Sequence, residues 1–172
     1  MTILRTERLI LRPVRTEDMP SFIAFYADPQ VMSVRKYGVL DRETAQAHVQ
    51  VMLDHWENHG YGMWVVTDIS DGSFAGECGI RWQEDSPGDP DGPDIELSYG
   101  LSPLFRQRGL ATEAARAVID HARVGLKLGR IAAVARADNS ISHRILEKLG
   151  MTLIWRSEGR EPPLVKYALE FG

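Results

Sequence analysis

The stretch Arg106-Gln107-Arg108-Gly109-Leu110-Ala111 decides the fold, because it follows an alternating apolar run over residues 95–101 and precedes a helical pattern. Gly109 can adopt a positive φ, and neither Gly109 nor Ala111 carries a bulky side chain. Successive main-chain amides can therefore close around an anion at the start of the helix, where the helix dipole adds favourable potential. The stretch predicts a diphosphate-binding turn between a strand and a helix. The alternative is an ordinary connecting turn, because glycine is common in turns between a strand and a helix.

The helix after this turn is predicted by apolar residues that recur every three or four positions. These residues are Ala111, Ala114, Ala115, Val118, Ile119 and Ala122. Most of them are small, so the helix can lie close to a sheet. A second strand over Arg130–Arg136 and a second helix follow, with Asn139 suited to the N-cap and Gly150 to the position just past the C-terminus.

Together the two motifs resemble the GCN5-related N-acetyltransferase (GNAT) superfamily. Its pyrophosphate loop runs Arg or Gln, two residues, Gly, one residue, Gly or Ala, and its next helix often begins Asn, two residues, Ser. The matching positions are Arg106, Gly109, Ala111, Asn139 and Ser142. Residues 6–13, 28–32 and 109–114 are similar to the RimJ and RimL branch, which acetylates the N-termini of ribosomal proteins, so the resemblance covers nearly the whole chain.

Length and composition are those of one globular domain, residues 1–172, since 44% of the residues are hydrophobic and 26% are charged. The resemblance implies the GNAT fold, an α+β (α/β three-layer) architecture with a twisted, mixed, mostly antiparallel sheet flanked by helices. The patterns predict a first strand at Leu9–Pro13, helices over residues 16–27 and 41–60, and strands over residues 61–68, 74–83 and 94–101. Thr16 and Asp41 are the predicted N-caps, Gly60 ends the second helix, and two closing strands lie near residues 151–157 and 164–171.

Charge and cysteine content exclude several classes of protein. The net charge of −4 argues against nucleic acid as the principal partner, and the single cysteine, Cys78, excludes an internal disulfide framework. No apolar run approaches membrane-spanning length, and the start of the chain has no charged-then-apolar leader, so a cytoplasmic protein is expected. A homodimer is compatible with this sequence.

The resemblance implies acetyl-CoA as co-substrate and an amine acceptor, either a small molecule or a polypeptide N-terminus. The pantetheine arm needs unpaired main-chain groups, which the end of the strand at residues 98–101 would offer if it splays from its neighbour at a bulge near residues 99–102. The alternative is that Gly100 merely eases strand packing. The predicted coenzyme-binding residues are Tyr99, Gly100, Leu101, Arg106, Gln107, Arg108, Gly109, Leu110, Ala111, Thr112, Asn139 and Ser142.

Two residues are candidates for proton transfer. Glu96 lies on the strand face opposite Ile95 and Leu97, where it can take a proton from the amine directly or through water; alternatively it is a surface carboxylate. Ser142 matches a serine that lies near the sulfur in this branch, so it can donate a proton to the departing thiolate, or it can bond the backbone of its own helix. Asn139 can hold the pantetheine arm, cap the helix, or do both.

The remaining candidates are weaker. Cys78 alternates with other apolar strand residues and is predicted to be a core residue rather than a nucleophile. The histidines lack zinc-ligand spacing and are predicted to be mostly solvated, so no metal site is expected. Aromatic and methionine residues can line an acceptor pocket or belong to the core; they are Tyr26, Met32, Tyr37, Trp64 and Trp82. Acidic residues before the strand can attract a cationic amine or form a solvated loop; they are Glu84, Asp85, Asp89, Asp91 and Asp94.

Two rival functions remain. One is a noncatalytic module that binds acyl-CoA without turnover. The other is a Rossmann dinucleotide enzyme, which requires a glycine-rich turn after the first strand; residues 9–17 contain no glycine, which disfavours it.

Overall fold

A computed structural model describes residues 2–35, 37–84 and 94–172 of the chain. The described strands are β1 (Leu4–Arg5), β2 (Leu9–Pro13), β3 (Met63–Asp68), β4 (Phe74–Gln83), β5 (Asp94–Leu101), β6 (Arg130–Arg136), β7 (Thr152–Arg156) and β8 (Leu164–Glu170). The α-helices are α1 (Met19–Ala27), α2 (Pro29–Met32), α3 (Arg42–His59), α4 (Leu110–Asp120) and α5 (Ser140–Lys148). A π-helical turn over His121–Gly125 continues α4.

The eight strands form one mixed sheet in the order β1-β2-β3-β4-β5-β6-β8-β7. Every neighbouring pair is antiparallel except β5 and β6, which are parallel. Register shifts occur in β3/β4 at Val66/Thr67 and in β7/β8 at Leu153/Trp155. This is the predicted GNAT architecture, a mostly antiparallel mixed sheet flanked by helices.

The helices form where their apolar faces meet the sheet. The apolar stripe of α4 is buried at Leu110, Ala114, Ala115, Val118 and Ile119, as its spacing predicts. The N-cap of α3 is Asp41, whose carboxylate accepts the amide of Thr44, and Gly60 ends that helix at φ 73°. Both helix boundaries confirm the prediction.

The first helical region differs from the prediction. Residues Thr16–Asp18 form a 3₁₀ turn, and Thr16 is not an α-helical cap. The reason lies in Asp18, whose buried carboxylate accepts the Arg15 amide at 2.8 Å and both terminal nitrogens of Arg12 at 2.6 and 2.8 Å. These bonds fix the turn before α1 begins at Met19.

Other helix and strand boundaries also differ from the predictions. Pro29, just past the predicted end of the first helix at residue 27, begins α2, because Asp28 accepts the Gln30 amide and a proline is well suited to the first helical position. The strand predicted over residues 61–68 begins at Met63, and the short strand β1 was not predicted. None of the helices in the described part of the chain is long and apolar enough to cross a membrane.

Candidate active site

One large cavity, of about 1120 Å³, opens where β5 and β6 meet. All of the predicted site residues except Arg108 line it. They are Glu96, Tyr99, Gly100, Leu101, Arg106, Gln107, Gly109, Leu110, Ala111, Thr112, Asn139 and Ser142. The fold therefore brings the predicted turn, strand and helix to a single site.

The cavity exists because β5 and β6 pair only at one point. Glu96 lies opposite Ala132, and no register partner joins residues 98–101 to β6 in the described part of the chain. On its other side β5 stays paired with β4 without a register shift, from Gln83↔Asp94 to Gly76↔Leu101. The strands splay as predicted, but the bulge expected near residues 99–102 is absent from the β4/β5 ladder.

The turn before α4 presents a row of main-chain amides. Gly109 adopts φ 77° as the N-cap, and Gln107 also has a positive φ, at 60°. The amides of residues 107–111 make no hydrogen bond to any described residue, since helix N-terminal amides lack partners within the helix. An anion placed here would satisfy them, which is what the sequence motif predicts.

Two motifs far apart in sequence meet at this turn. Glu113, in the first turn of α4, accepts hydrogen bonds from the side chain of Thr6 and from the amide and guanidinium of Arg8. Arg8 also donates through Nη1 to the carbonyl of Arg108 at 2.9 Å. The N-terminal segment thus braces the turn from behind, and Arg108 contributes its carbonyl to this brace while its side chain stays exposed.

Arg106 links the turn to the end of β5. Its Nε donates to the Leu101 carbonyl at 2.9 Å, and burial lowers its pKa from the ordinary value. Arg106 is therefore not a freely solvated loop arginine. Its guanidinium charge is held beside the unpartnered amides.

Ser142 lies in a small hydrogen-bonded cluster at the start of α5. Asn139 accepts the Ser142 amide at 3.1 Å as N-cap, and its Nδ2 donates to Ser142 Oγ at 3.2 Å. The Tyr99 hydroxyl lies 3.4 Å from both Ser142 Oγ and the Ser142 carbonyl. Burial raises the pKa of Tyr99 to about 12, so this phenol stays protonated at neutral pH beside the serine.

Glu96 lies on the other face of β5. It is 5% exposed, so the surface-carboxylate alternative is wrong, and its register partner on β4 is Arg81. Ser98 and Gly100 share its face by strand alternation and also line the cavity. Because β5 and β6 diverge beyond Glu96, the cavity connects this face with the Tyr99 face.

A buried ionic cluster that sequence reasoning missed occupies the Glu96 face, close to α1. Glu77 on β4 is 2% exposed, and it accepts the Tyr26 hydroxyl at 2.5 Å and Arg35 Nη1 at 2.6 Å. Burial by itself would raise the pKa of Glu77, but the charge of Arg35 and the two hydrogen bonds together hold it below its ordinary value. Burial, followed by the charge of Glu77, raises the pKa of Tyr26 well above its ordinary value.

Arg35 itself packs against glycine and aromatic rings. Its guanidinium carbon lies 5.4 Å from the centre of the Phe25 ring and 5.8 Å from that of Tyr26. A Cβ on Gly100 would approach Arg35 Nη2 to 1.8 Å. A side chain at position 100 would therefore displace this guanidinium, which is a reason for glycine that neither sequence-based interpretation of Gly100 contained.

The weaker candidates, Cys78 and the histidines, differ in burial. Cys78 is fully buried, and burial raises its pKa, which confirms a core residue. The prediction of solvated histidines is wrong for most of them, because His48, His55, His121 and His143 are half-buried and only His59 is exposed. Among the described residues no cluster of His, Cys, Asp and Glu could hold a metal ion.

The residues predicted either to line an acceptor pocket or to belong to the core divide in the structure. Tyr26, Met32 and Tyr37 line the cavity, and Tyr26 and Met32 are also buried in the core, as is Trp64, whereas Trp82 is 41% exposed outside the cavity. Of the acidic residues before β5, Asp94 is buried and ion-paired with Lys166 and Arg130, because it begins a strand inside the sheet. Glu84 is exposed, and Asp85, Asp89 and Asp91 lie outside the described residues.

Comparison with known proteins identifies what this arrangement is similar to. The family model described as "Acetyltransferase (GNAT) domain" matches residues 8–152. The YkkB protein of Bacillus subtilis (strain 168) is 30% identical over 151 residues, which are 87% of this chain and 85% of that protein. The N-acetyltransferase p20 of Bacillus licheniformis is 28% identical over 87% of this chain and 82% of its own length. The crystal structure of an acetyltransferase from Agrobacterium tumefaciens has a TM-score of 0.85 at 27% identity, covering 99% of this chain and 95% of that one.

Proposed function

Since the chain belongs to the GNAT family and is an acyl-CoA-dependent N-acetyltransferase, we propose that it moves an acetyl group from acetyl-CoA to a primary amine by direct attack in a ternary complex. The observation that carries this proposal is the shared cavity. It contains both the unpartnered amides at the start of α4 and the buried carboxylate of Glu96.

The coenzyme end is assigned to main-chain groups. Amides of residues 107–111 would bind the diphosphate, with the charge of Arg106 beside them. The β6-facing edge of residues 98–100 would bond the pantetheine arm, helped by Asn139, whose amide already caps α5. A main-chain N–H near Leu101 would meet the thioester carbonyl as it becomes more negative.

Proton transfer is assigned to the two faces of β5. The amine nitrogen attacks the thioester carbon, and Glu96 takes the amine proton directly or through water. When the carbon–sulfur bond breaks, the sulfur takes the proton of the Ser142 hydroxyl, and the serine oxygen recovers a proton from solvent through the adjacent hydroxyl of Tyr99. The proton taken by Glu96 is released to solvent, so both side chains return to their starting state. Cys78 takes no part, because it is buried in the core.

The acceptor is a small amine or a polypeptide N-terminus. The resemblance of residues 6–13, 28–32 and 109–114 to the RimJ and RimL branch supports the second of these. The brace between Arg8 and Glu113 joins two of those stretches, so that part of the resemblance has a structural role independent of the acceptor.

Thiol release with a panel of amines, measured for the wild type and for Glu96→Gln, tests the proposal. We expect kcat to fall by about 10²- to 10⁴-fold, the contribution typical of general base catalysis. The affinity for acetyl-CoA, measured by calorimetry, should be unchanged, because the diphosphate contacts lie at α4. Glu158→Gln, an exposed carboxylate, is the matched control.

Three results would contradict parts of the proposal. Full activity in Glu96→Gln would remove Glu96 from the mechanism. Absence of any heat on addition of acetyl-CoA would remove the diphosphate site. Binding without turnover of any amine would favour the noncatalytic acyl-CoA module.

A further inference from the structure

The acceptor side of the cavity contains guanidinium groups whose hydrogen-bonding capacity is not used. Arg35 Nη2 and Arg81 Nε are buried and have no hydrogen-bond partner among the described residues. Both side chains line the cavity. A buried N–H without a partner is rare in proteins and commonly marks the place of a water, an ion or a ligand.

Arg35 cannot turn Nη2 toward another protein group without giving up contacts it already has. Nη1 is bonded to Glu77, and the rings of Phe25 and Tyr26 lie against the guanidinium. Nη2 lies over Gly100, whose missing side chain leaves its space to the guanidinium. The donor is thus fixed on the β5 face that also carries Glu96.

The charges on this face define what the donor can bind. On this face Arg35 and Arg81 contribute two positive charges, and Glu77 and Glu96 contribute two negative charges, so these four side chains balance, and the charged residues in the rest of the cavity lining are all basic. Glu77 is already occupied by Arg35 and Tyr26. A polyamine would bring several positive charges with only Glu96 left to meet them, whereas an amine that also carries a carboxylate keeps the balance.

We propose that Arg35 Nη2 binds a carboxylate of the acceptor, so that the acceptor is a small amine of the amino-acid class. This inference rests on the proposed N-acetyltransferase reaction. Gly100 lies four residues from Glu96 along β5, about 13 Å at the rise of an extended strand. The amine of an acceptor held by Arg35 therefore lies over the middle of β5, near Ser98, and its proton reaches Glu96 through water.

The test compares amines in pairs that differ only in the carboxylate: L-phenylalanine with phenethylamine, and L-methionine with 3-(methylthio)propylamine, with spermidine added. Thiol release is measured for the wild type, for Arg35→Lys and for the exposed control Arg123→Gln. Lysine keeps a positive charge beside Glu77 but removes the planar second donor. Far-UV circular dichroism and the affinity for acetyl-CoA check that the fold and the coenzyme end are intact.

We expect the wild type to prefer each carboxylated amine over its partner by about ten- to a hundredfold in kcat/KM, the value of a charge-assisted hydrogen bond. Arg35→Lys should raise KM for the carboxylated amines by a similar factor and leave kcat/KM for their partners unchanged. If Arg35→Lys fails to fold, Gly100→Ala is the second variant, because the new Cβ displaces Nη2 while Glu77 keeps its counter-ion.

Several results would overturn the inference. Equal turnover within the pairs, or preference for the amines without a carboxylate or for spermidine, excludes a carboxylate at Arg35 and leaves the N-acetyltransferase assignment intact. An equal fall of kcat for both members of each pair in Arg35→Lys shows that Nη2 serves the thioester carbonyl instead. If acetyl-CoA binds but none of the amines causes thiol release, both the proposed function and this inference are overturned.

Discussion

The two ends of the cavity are lined by different kinds of chemical group. At the proposed coenzyme end, the groups offered to a ligand are main-chain amides in an exposed turn, and side chains such as Arg8 and Glu113 support that turn. At the proposed acceptor end, the groups are the side chains of Tyr26, Arg35 and Glu77, in which Glu77 accepts hydrogen bonds from the other two. The first end depends on backbone conformation and the second on charge pairing, so they should fail in different ways when altered.

The largest loss of stability is expected at the acceptor end. Glu77→Ala leaves the guanidinium of Arg35 buried without its counter-ion, and we expect the free energy of unfolding to fall by about 3–5 kcal/mol. Urea denaturation measures it. The matched control is Asp120→Ala, which breaks an exposed pair with Arg123 and should cost about 1 kcal/mol or less.

The double variant Arg35→Met/Glu77→Leu sharpens this test, because it removes both charges and should lose less stability than Glu77→Ala alone. Equal losses in Glu77→Ala and in the surface control would show that the cluster is not a buried ion pair in solution.

A smaller and different effect is expected at the coenzyme end. Gly109→Ala places a Cβ on a residue with φ 77°, at a strain of about 1–2 kcal/mol. Among the described residues only Arg8 Nη2, at 3.7 Å, lies near the new atom, so the cost comes from the backbone and not from a clash. If the turn keeps its shape, urea denaturation reports the loss; if it relaxes, calorimetry reports weaker binding of acetyl-CoA.

The control for Gly109→Ala is Gly129→Ala, where a Cβ meets no atom of the described part of the chain within 4 Å and the φ is not positive. That variant should change neither quantity. If Gly109→Ala changes neither the free energy of unfolding nor the affinity for acetyl-CoA, the left-handed conformation is not needed for the turn.

The smallest effect concerns the brace, and it depends on pH. Burial would raise the pKa of Glu113, but hydrogen bonds from Thr6 and Arg8 hold it below its ordinary value. A carboxylate with a lowered folded-state pKa stabilises the protein above its unfolded-state pKa, and this contribution is lost as the pH falls through the folded-state value. Glu113→Gln should therefore cost about 1 kcal/mol or less at pH 7.

The difference between wild type and Glu113→Gln should shrink as the pH falls through the lowered folded-state pKa of Glu113, because the wild-type carboxylate then becomes protonated. Urea denaturation at pH 7 and at pH 3 measures it. A difference that grows on acidification would show that the sign of this linkage is wrong.

The same contrast explains what could be read from the sequence. The turn, its helix and the Asn139 cap are local, so glycine, apolar spacing and cap residues predicted them. The cluster of Tyr26, Arg35 and Glu77 is not local, since its members are far apart and each residue is unremarkable in its own segment. A signal did exist in Glu77, a charged residue in a strand whose neighbours are almost all buried, but only tertiary packing supplies its partners.

The errors at element boundaries have a similar cause. Thr16 is an acceptable cap by composition, but the bonds to Asp18 come from Arg12 and Arg15 and override it. The splay of β5 from β6 followed from the motif, whereas the regular β4/β5 ladder shows that the gap opens by divergence of the strands and not by a bulge. Asp94 was counted with an acidic loop because nothing local reveals its ion pair with Lys166.

The irregular pairing of β7 has a consequence for solubility. This strand is an edge strand of the sheet, and its Leu153 and Ile154 are about half exposed. An exposed apolar edge strand can pair with a strand of another protein molecule. The register shift at Leu153/Trp155 interrupts the flat row of donors and acceptors that such growth would copy. At the opposite margin, β1 is only two residues long and offers almost no template. The sheet therefore carries its own protection against self-association into fibrous aggregates.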